Sequence, residues 1–553
     1  MDAESNQHWP VVIAGGGPVG MTLAAELGIR GVRTLVLEQA RETTDNPRCN
    51  TTNARSMEYF RRLGVADRIR RAGLPVGHPT DVVYCTALTG WELTRFPFSS
   101  SGDILSGHAP EFDDWPTPEP QHRISQIYLE PILEEHVRSM PSVQIRRANR
   151  VEGVTQEGMA ATVDVIDVES GREYRVTADY VVGCDGGGST VRRSIGAVLQ
   201  GDSRVAEARV SVYFRCTELA RHLGPRPGWM YWWFGPELHG SFVQLDGEAL
   251  YLCHARVPED MEPEDLDADR ILEAALGRPM PHEKIKVVRW TPRRLVADRF
   301  RDDRVLLAGD AAHLWLPLGG FGMNTGIADA VGLGWRLAAL LDDWGGERLF
   351  DDYATERRSV GEATSRAAVK IDKDMDAIGT EPELRENSRE GAALRQRVGE
   401  LIQQVDRQQW FSQGVQFGSR YTGSPGTDAD AGTEGPAIEG IGVYVPSVTP
   451  GVRFPHHWRP DRASIFDQLG RDLTIVRVGP SAPPVDALVE AAVNAGIPLT
   501  ELAVAEDDAV AVYHRPLVLV RPDMYVAWSG DVLPADPGEL LARLFAGHAP
   551  VDA

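Results

Sequence analysis

The sequence predicts a mixed α/β protein, on three observations. An apolar run, a glycine-rich turn and an Ala- and Leu-rich segment follow one another near the N-terminus. Short continuous apolar runs, the mark of strands buried on both faces, recur much later in the chain. Between them lies a long stretch rich in aromatic and β-branched residues, which suits an open sheet.

The elements follow in order. Residues 11–14 (VVIA) form a strand, 15–20 the turn, 19–29 a helix and 34–37 a second strand ending at Glu38, which is a βαβ start. Segments 161–168 and 173–177 alternate in polarity around Glu169-Ser170-Gly171 and read as a hairpin that feeds a third apolar strand at 180–183. Residues 229–234 and 240–245, within the aromatic stretch 205–290, read as sheet strands. A buried strand at 304–308 and a helix at 328–341 come next. Residues 356–409 are charged and helical in pattern, and 417–450, rich in Gly, Pro, Thr and Asp, read as a linker. Strands at 473–478, 499–504, 517–520 and 524–528 with helices at 485–494 and 539–545 then make a separate small α/β domain. No internal repeat appears.

Composition narrows the function. At roughly 100–200 residues per domain, 553 residues predict about three domains. The net charge of −23 argues against nucleic acid or an anionic membrane as partner. No apolar run of about 18 residues predicts a membrane span, and the polar start, residues 1–10, lacks the apolar core of a signal peptide. Cys49, Cys85, Cys184, Cys216 and Cys253 are scattered without a CxxC pair. That fits a reducing cytoplasm and gives no cysteine-based metal site.

Three segments carry the chemistry. Gly15-x-Gly17-x-x-Gly20 sits between strand and helix: the first glycine permits the turn, the second lets backbone approach a pyrophosphate, and the third lets helix pack on strand. The helix N-terminus then offers free N–H groups to phosphate. Glu38, 18 residues after Gly20, stands where a carboxylate accepts hydrogen bonds from an adenosine ribose. The second segment, Gly183 to Arg193, and the third, Gly309-Asp310-Ala311-Ala312-His313 with Pro317 to Asn324, each end a strand in Asp beside Gly. An acid there can hold ribityl hydroxyls, and a helix N-terminus can stabilise negative charge on a reduced flavin.

With these three segments in this order, the chain resembles the FAD-dependent aromatic hydroxylases, the single-component flavoprotein monooxygenases that include para-hydroxybenzoate and phenol hydroxylases. Pro47-Arg48 with Asn53-Ala54-Arg55-Ser56-Met57-Glu58, and Arg123-x-x-Gln126 before Leu129-Glu130, fit as well. The resemblance is strong over about residues 8–360. The tail looks like the thioredoxin-like C-terminal domain of the larger members, through Leu519-Val520-Arg521-Pro522-Asp523 and Val526-Ala527-Trp528. It holds no cysteine, so thiol redox chemistry by it is excluded. The implied architecture is a Rossmann-like FAD-binding domain (1–75, 110–200, 290–360) with an inserted, mostly antiparallel substrate sheet (76–109, 201–289). A helical segment and linker (361–440) and the thioredoxin-like domain (441–553) complete it.

The resemblance also implies roles. Gly15, Gly17, Gly20 and Glu38 hold the ADP half of FAD; Arg48 and Gln126 contact the pyrophosphate and ribityl region; Asp310 binds the ribityl chain; Gly322, Met323 and Asn324 line the pyrimidine edge. Asp185 and Arg192 lie in a segment that relatives use for both FAD and NAD(P)H. No second GxGxxG exists, which fits transient NAD(P)H binding. His313 reads first as a packed neighbour of the flavin loop, with catalysis as its other reading. The implied reaction consumes NAD(P)H and dioxygen and hydroxylates a phenolic or polycyclic aromatic, polyketides included, through a flavin hydroperoxide. Trp232, Trp290 and Pro317 are expected in the substrate wall. Where several phenol-hydroxylating relatives carry Asp or His, this chain has Asn50, and an amide is no base. Either the phenol is activated elsewhere or the substrate ionises unaided. The competing reading is a flavin-dependent oxidase or decarboxylating oxygenase on the same scaffold. A disulfide reductase would need a second cysteine where Ala54 stands, and a non-catalytic flavin-binding protein would show no NAD(P)H oxidation. The expected state is a cytoplasmic monomer or homodimer without a metal.

Overall fold

The computed structural model describes residues 7–546 apart from 377, 380, 422, 423, 425, 426 and 428–437. Five parallel strands form its spine, in the order Val305–Leu307, Glu173–Gly183, Gln7–Ala14, Thr34–Glu38, Val143–Arg147. Their side chains are apolar on both faces because both faces are covered: Val11, Val12, Ile13, Leu35 and Val36 are fully buried. Helix Pro18–Gly28 packs on helix Phe321–Leu341 through glycines that admit close approach; a Cβ on Gly334 would lie 2.5 Å from Glu26 Cγ. The hairpin of Asn149–Glu157 and Ala160–Asp167 adds onto the start of Glu173–Gly183.

A seven-stranded sheet stands beside this unit, in the order Glu283–Trp290, Arg209–Arg215, Leu250–Arg256, His239–Gln244, Met230–Phe234, Val82–Cys85, Glu92–Phe96. All its pairs are antiparallel except Met230–Phe234 with Val82–Cys85. One face, with Val210, Val212, Phe214, Trp233 and Phe242, is covered by helix Ala268–Leu276. The other carries Tyr84, Trp232, Tyr213, Val243 and Leu252. It turns toward Leu318, Ile127 and Tyr128 of the first unit, Met375 and Ile402 of two long helices, and Trp410. A small sheet of Leu199–Asp202, Arg294–Ala297 and His313–Trp315 joins the two units.

The C-terminal unit runs βαβαββα. Its sheet order is Leu499–Val504, Leu473–Val478, Leu517–Val520, Val526–Gly530, the first pair parallel and the rest antiparallel. It packs on helix Phe321–Leu341 through Trp335, Ala339, Trp344 and Phe545. Among the described residues, no helix is long and apolar enough to cross a membrane.

Several sequence expectations need correction. The separate strand expected at 180–183 is the end of one strand, Glu173–Gly183, because alternating and continuous apolar halves lie on one line. The helix expected at 328–341 starts at Phe321: Gly326 does not break it but seats it, since a Cβ there would lie 2.6 Å from Val19 Cγ2. The charged stretch 356–409 is three helices, Arg348–Met375, Arg389–Val405 and Arg407–Trp410. Helix Asp507–Tyr513 was not expected. Of the linker expected at 417–450, residues 422, 423, 425, 426 and 428–437 lie outside the described residues.

Candidate active site

The parallel strands Gln7–Ala14, Glu173–Gly183 and Val305–Leu307 end side by side, and the loops after them meet in one crevice. Ligands bind at this end of parallel sheets. Gly15 has φ +104° and a Cβ there would sit 2.3 Å from the Cys184 carbonyl oxygen, so only glycine fits. A Cβ on Gly20 would lie 2.0 Å from the Gly15 carbonyl oxygen, whereas one on Gly17 would meet nothing within 4 Å. Two glycines therefore close the turn, and the third leaves a clear approach to its backbone.

Among the described α-helices, only Pro18–Gly28 and Phe321–Leu341 have glycine, Gly17 and Gly320, as N-cap. Neither N-terminus has a capping side chain. A helix leaves its first-turn N–H groups without internal partners, so both ends keep donors free for an anionic ligand. Glu38 closes the far side: its Oε2 accepts the Gly16 N–H at 2.6 Å and its Oε1 the Ala40 N–H at 2.7 Å. A carboxylate has about four acceptor positions, so two remain for ribose hydroxyls.

Asp310 is exposed at the crevice, between buried Gly309 and Ala311. Its surroundings raise the carboxyl by desolvation, partly offset by His313 and Arg48. The Cys49 thiol is pushed up by burial and by the same Asp310, which places the Arg48–Cys49 loop beside it. His313 itself is buried, with Nε2 2.7 Å from Asp329 Oδ2 and its ring stacked on Trp315. Asp329 also accepts the Gly309 N–H at 3.0 Å and Arg357 Nε–H at 2.7 Å. Burial alone would raise the Asp329 carboxyl; Arg357 and His313 outweigh it and hold it low. The His313–Asp329–Arg357 cluster fixes the turn that carries Asp310. Sequence reading did not find Asp329 or Arg357, which lie inside helices without a motif.

Other expected residues also bond within the chain. Asp185 caps helix Thr190–Ser194, accepting Ser189 Oγ–H at 2.5 Å and the Thr190 N–H at 2.7 Å. Arg192 is buried and donates to the carbonyls of Ala311, at 3.0 Å, and Gly187, at 2.8 Å, so it ties the second and third segments together. The Asn324 side chain does not face the crevice. It accepts the Asn53 N–H and donates to the Thr51 and Gly320 carbonyls, clamping the Asn50 loop to the helix start. The Gly322 and Met323 amides remain for the ligand. Gln126 Nε2–H donates to Glu130, and its backbone N–H to the Cys49 carbonyl.

On the substrate side, Asn50 Oδ1 and Trp232 Nε1 are buried without hydrogen-bond partners among the described residues, and Pro317 is exposed at the start of the turn Leu318–Gly320. Trp232 and Trp290 lie on the same face of the seven-stranded sheet, the face turned to the crevice loops. The sequence missed Arg123 as a substrate-side group: its guanidinium lies over the Trp229 ring at 4.5 Å and donates to Thr51 Oγ1 at 3.0 Å. Burial lowers it to about 9.

The donor set fits FAD. Two uncapped helix starts, an acid at the end of the second strand and an accessible acid in the third segment supply sites for pyrophosphate, ribose and ribityl chain.

Comparison with known proteins agrees. The model of the family described as "FAD binding domain" matches residues 8–368. A relative from Emericella nidulans, "FAD-dependent monooxygenase apdD", is 32% identical over 96% of this chain and 89% of its own. The structure of RebC with bound 7-carboxy-K252c superposes with TM-score 0.89 at 33% identity, over 98% of this chain and 100% of that one. Aklavinone-11 hydroxylase, solved in a ternary complex with FAD and aklavinone, superposes with TM-score 0.80 at 27% identity, over 99% of this chain and 100% of that one. The chain belongs to this FAD-binding family and is an FAD-dependent aromatic hydroxylase.

Proposed function

We propose that the chain uses NAD(P)H and dioxygen to place one hydroxyl on a phenolic or polycyclic aromatic substrate bound between the crevice and the seven-stranded sheet. The observation that carries this is the juxtaposition of the two: a flavin-type crevice with free helix N-termini, facing a sheet face with indole rings at Trp232 and Trp290. Bound FAD supplies the electron transfer and oxygen activation that side chains lack.

The chain's own groups do the rest. Glu38 accepts the ribose hydroxyls, and the first-turn amides after Gly17 take the pyrophosphate with Arg48. Asp310 accepts ribityl hydroxyls. The Gly322 and Met323 amides hold negative charge at the pyrimidine edge. The apolar sheet face and the Pro317 turn exclude water and orient the ring. Asn50 orients rather than deprotonates, since its amide cannot take a proton. Gln126, Asp185, Arg192 and Asn324 act one step back, by holding the loops that carry these groups.

The C-terminal unit is a thioredoxin-like module with a structural role, and the protein acts in the cytoplasm as a monomer or homodimer. The test is a panel of phenols and polycyclic hydroxyaromatics, following NAD(P)H oxidation and product mass together. A product heavier by one oxygen supports the proposal. A second reading, an oxidase or decarboxylating oxygenase, is favoured by the likeness to RebC, whose structure holds 7-carboxy-K252c. Hydrogen peroxide as sole oxygen product, or loss of carbon dioxide, would support that one.

A further inference from the structure

Strand register sets one row of side chains across the crevice-facing side of the seven-stranded sheet. Trp232 pairs with Tyr84 on one side and Ser241 on the other; Ser241 pairs with His254, His254 with Ser211, and Ser211 with Val288. All of these point the same way, because every cross-strand partner shares a face. His254 is the imidazole at the middle of the row. It sits deep, yet is partly accessible, whereas Ser211 beside it is buried.

Its hydrogen bonds fix which nitrogen carries the proton. Trp290 Nε1–H donates to Ser211 Oγ at 2.8 Å. Indole is a donor only, so this bond has one direction. Ser211 Oγ lies 2.7 Å from His254 Nδ1. Among the described residues, Ser211 Oγ bonds only Trp290 and His254, so with Trp290 donating to it the hydroxyl hydrogen is left for Nδ1. The chain of donation then runs Trp290 to Ser211 to His254, and the imidazole proton sits on Nε2. Burial, reinforced by Arg209, lowers His254 to about 4, so the ring is neutral around pH 7. The charged groups packed around it are Arg256 on its own strand, Arg209 on the neighbouring one, and Glu207 and Asp372, each of which pairs with both arginines; His239, Tyr84 and Tyr213 are further titratable groups on this face.

We propose that His254 presents its Nε2–H to the substrate as a fixed, neutral hydrogen-bond donor, and that the substrate therefore carries an acceptor oxygen there: an ionised phenolate or a ring carbonyl. This rests on the hydroxylase reading above and deepens it. It also accounts for Asn50: a site that stabilises the oxyanion by donation favours the ionised phenol without a base at position 50. Ser211 and Trp290 act through His254 and are positioning residues.

The test uses the FAD-loaded protein and 4-nitrophenol, whose phenolate absorbs in the visible, titrated from pH 5 to 9. The wild type is expected to ionise bound 4-nitrophenol about tenfold more readily than water does, one hydrogen bond to a charged group being worth at least that. His254→Phe should abolish the gain, His254→Gln should restore part of it because an amide N–H also donates, and Ser211→Ala should reduce it. FAD content should stay at wild-type level in all three. A wild type that binds the protonated phenol equally well, or does not bind 4-nitrophenol, overturns the proposal. So does a His254→Phe variant with the full gain. Loss of NAD(P)H-driven flavin reduction in the wild type would instead overturn the hydroxylase reading and leave the titration to judge His254 alone.

Discussion

Helix Phe321–Leu341 serves two regions by opposite means. Its N-terminal end opens on the nucleotide crevice, where glycines and backbone amides do the holding and donors are left free. Its later turns meet the C-terminal unit, where side-chain charges are buried and spent on one another. Arg521 donates to Glu356 at 2.8 and 3.0 Å and to Asp523 at 3.0 and 2.6 Å; Arg336 donates to Glu356 at 2.6 Å. Arg55 donates to the Asp523 carbonyl at 2.7 Å and to Glu58 at 2.8 Å, and Glu58 also takes Arg453. The Arg521, Glu356 and Asp523 side chains are no more than 1% exposed. A region built to bind a ligand keeps its polar groups unsatisfied, and a region built to dock a domain satisfies them internally.

The largest expected effect falls on the docking face. Arg521→Ala leaves Glu356 and Asp523 short of their counter-charge, and breaking a buried pair costs about 3–5 kcal/mol. Denaturant unfolding followed by Trp fluorescence should show this loss, while FAD affinity of the folded protein stays near wild type. An equal fall in FAD affinity would mean that the two regions are one cooperative unit.

The mirror-image change is Glu38→Ala, which removes the ribose acceptor. FAD affinity should fall by about 1.5–3 kcal/mol, the worth of a charge-assisted bond, read by titrating apoprotein with FAD. Unchanged affinity would place the nucleotide elsewhere.

These two regions were unequally legible in the sequence. The crevice was readable because its parts are local: Gly15, Gly17 and Gly20 lie within six residues, and Glu38 ends the next strand. Even there, the bonds of the Asn324 side chain were not readable, since they go to Thr51 and Asn53, far away in sequence. The docking network was invisible for the same reason taken further: Arg55 and Asp523 are 468 residues apart, and no spacing links them. The substrate sheet lay between these cases. Its aromatic strands were evident, but which residues share a row with Trp232 depends on register, which puts Ser211 and His254 there only once the strands pair.

Acid should separate the regions further. Burial opposes ionisation of Asp523, but Arg521 and Arg336 outweigh it and hold the carboxyl at about 2, below the ordinary 3.8. A depressed carboxyl contributes stability that is fully present above its unfolded value and lost as pH falls through the folded one. About 2 kcal/mol should therefore disappear between pH 4 and pH 2. Unfolding midpoints measured across this window should fall in the wild type and less steeply in Arg521→Ala; parallel slopes would remove Asp523 from the cause.

The smallest effect on stability belongs to Gly17→Ala. Among the described residues beyond its chain neighbours, its methyl would meet no atom within 4 Å, so unfolding should shift by no more than about 0.5 kcal/mol. FAD affinity should drop all the same, because the methyl projects where the pyrophosphate approaches. A clear loss of stability with unchanged FAD affinity would reverse the roles assigned to the two faces of this turn.

The central claim, that the crevice and the sheet together hydroxylate an aromatic ring, is tested most directly with isotopically labelled dioxygen. FAD-loaded protein, NAD(P)H and a phenolic or polycyclic substrate that accelerates NAD(P)H oxidation are incubated under the labelled gas, and the product is weighed by mass spectrometry. The account predicts a product that carries one labelled oxygen atom on its ring, formed in proportion to NAD(P)H consumed. Consumption of NAD(P)H and dioxygen with hydrogen peroxide as the only labelled product, across the whole substrate panel, would contradict it.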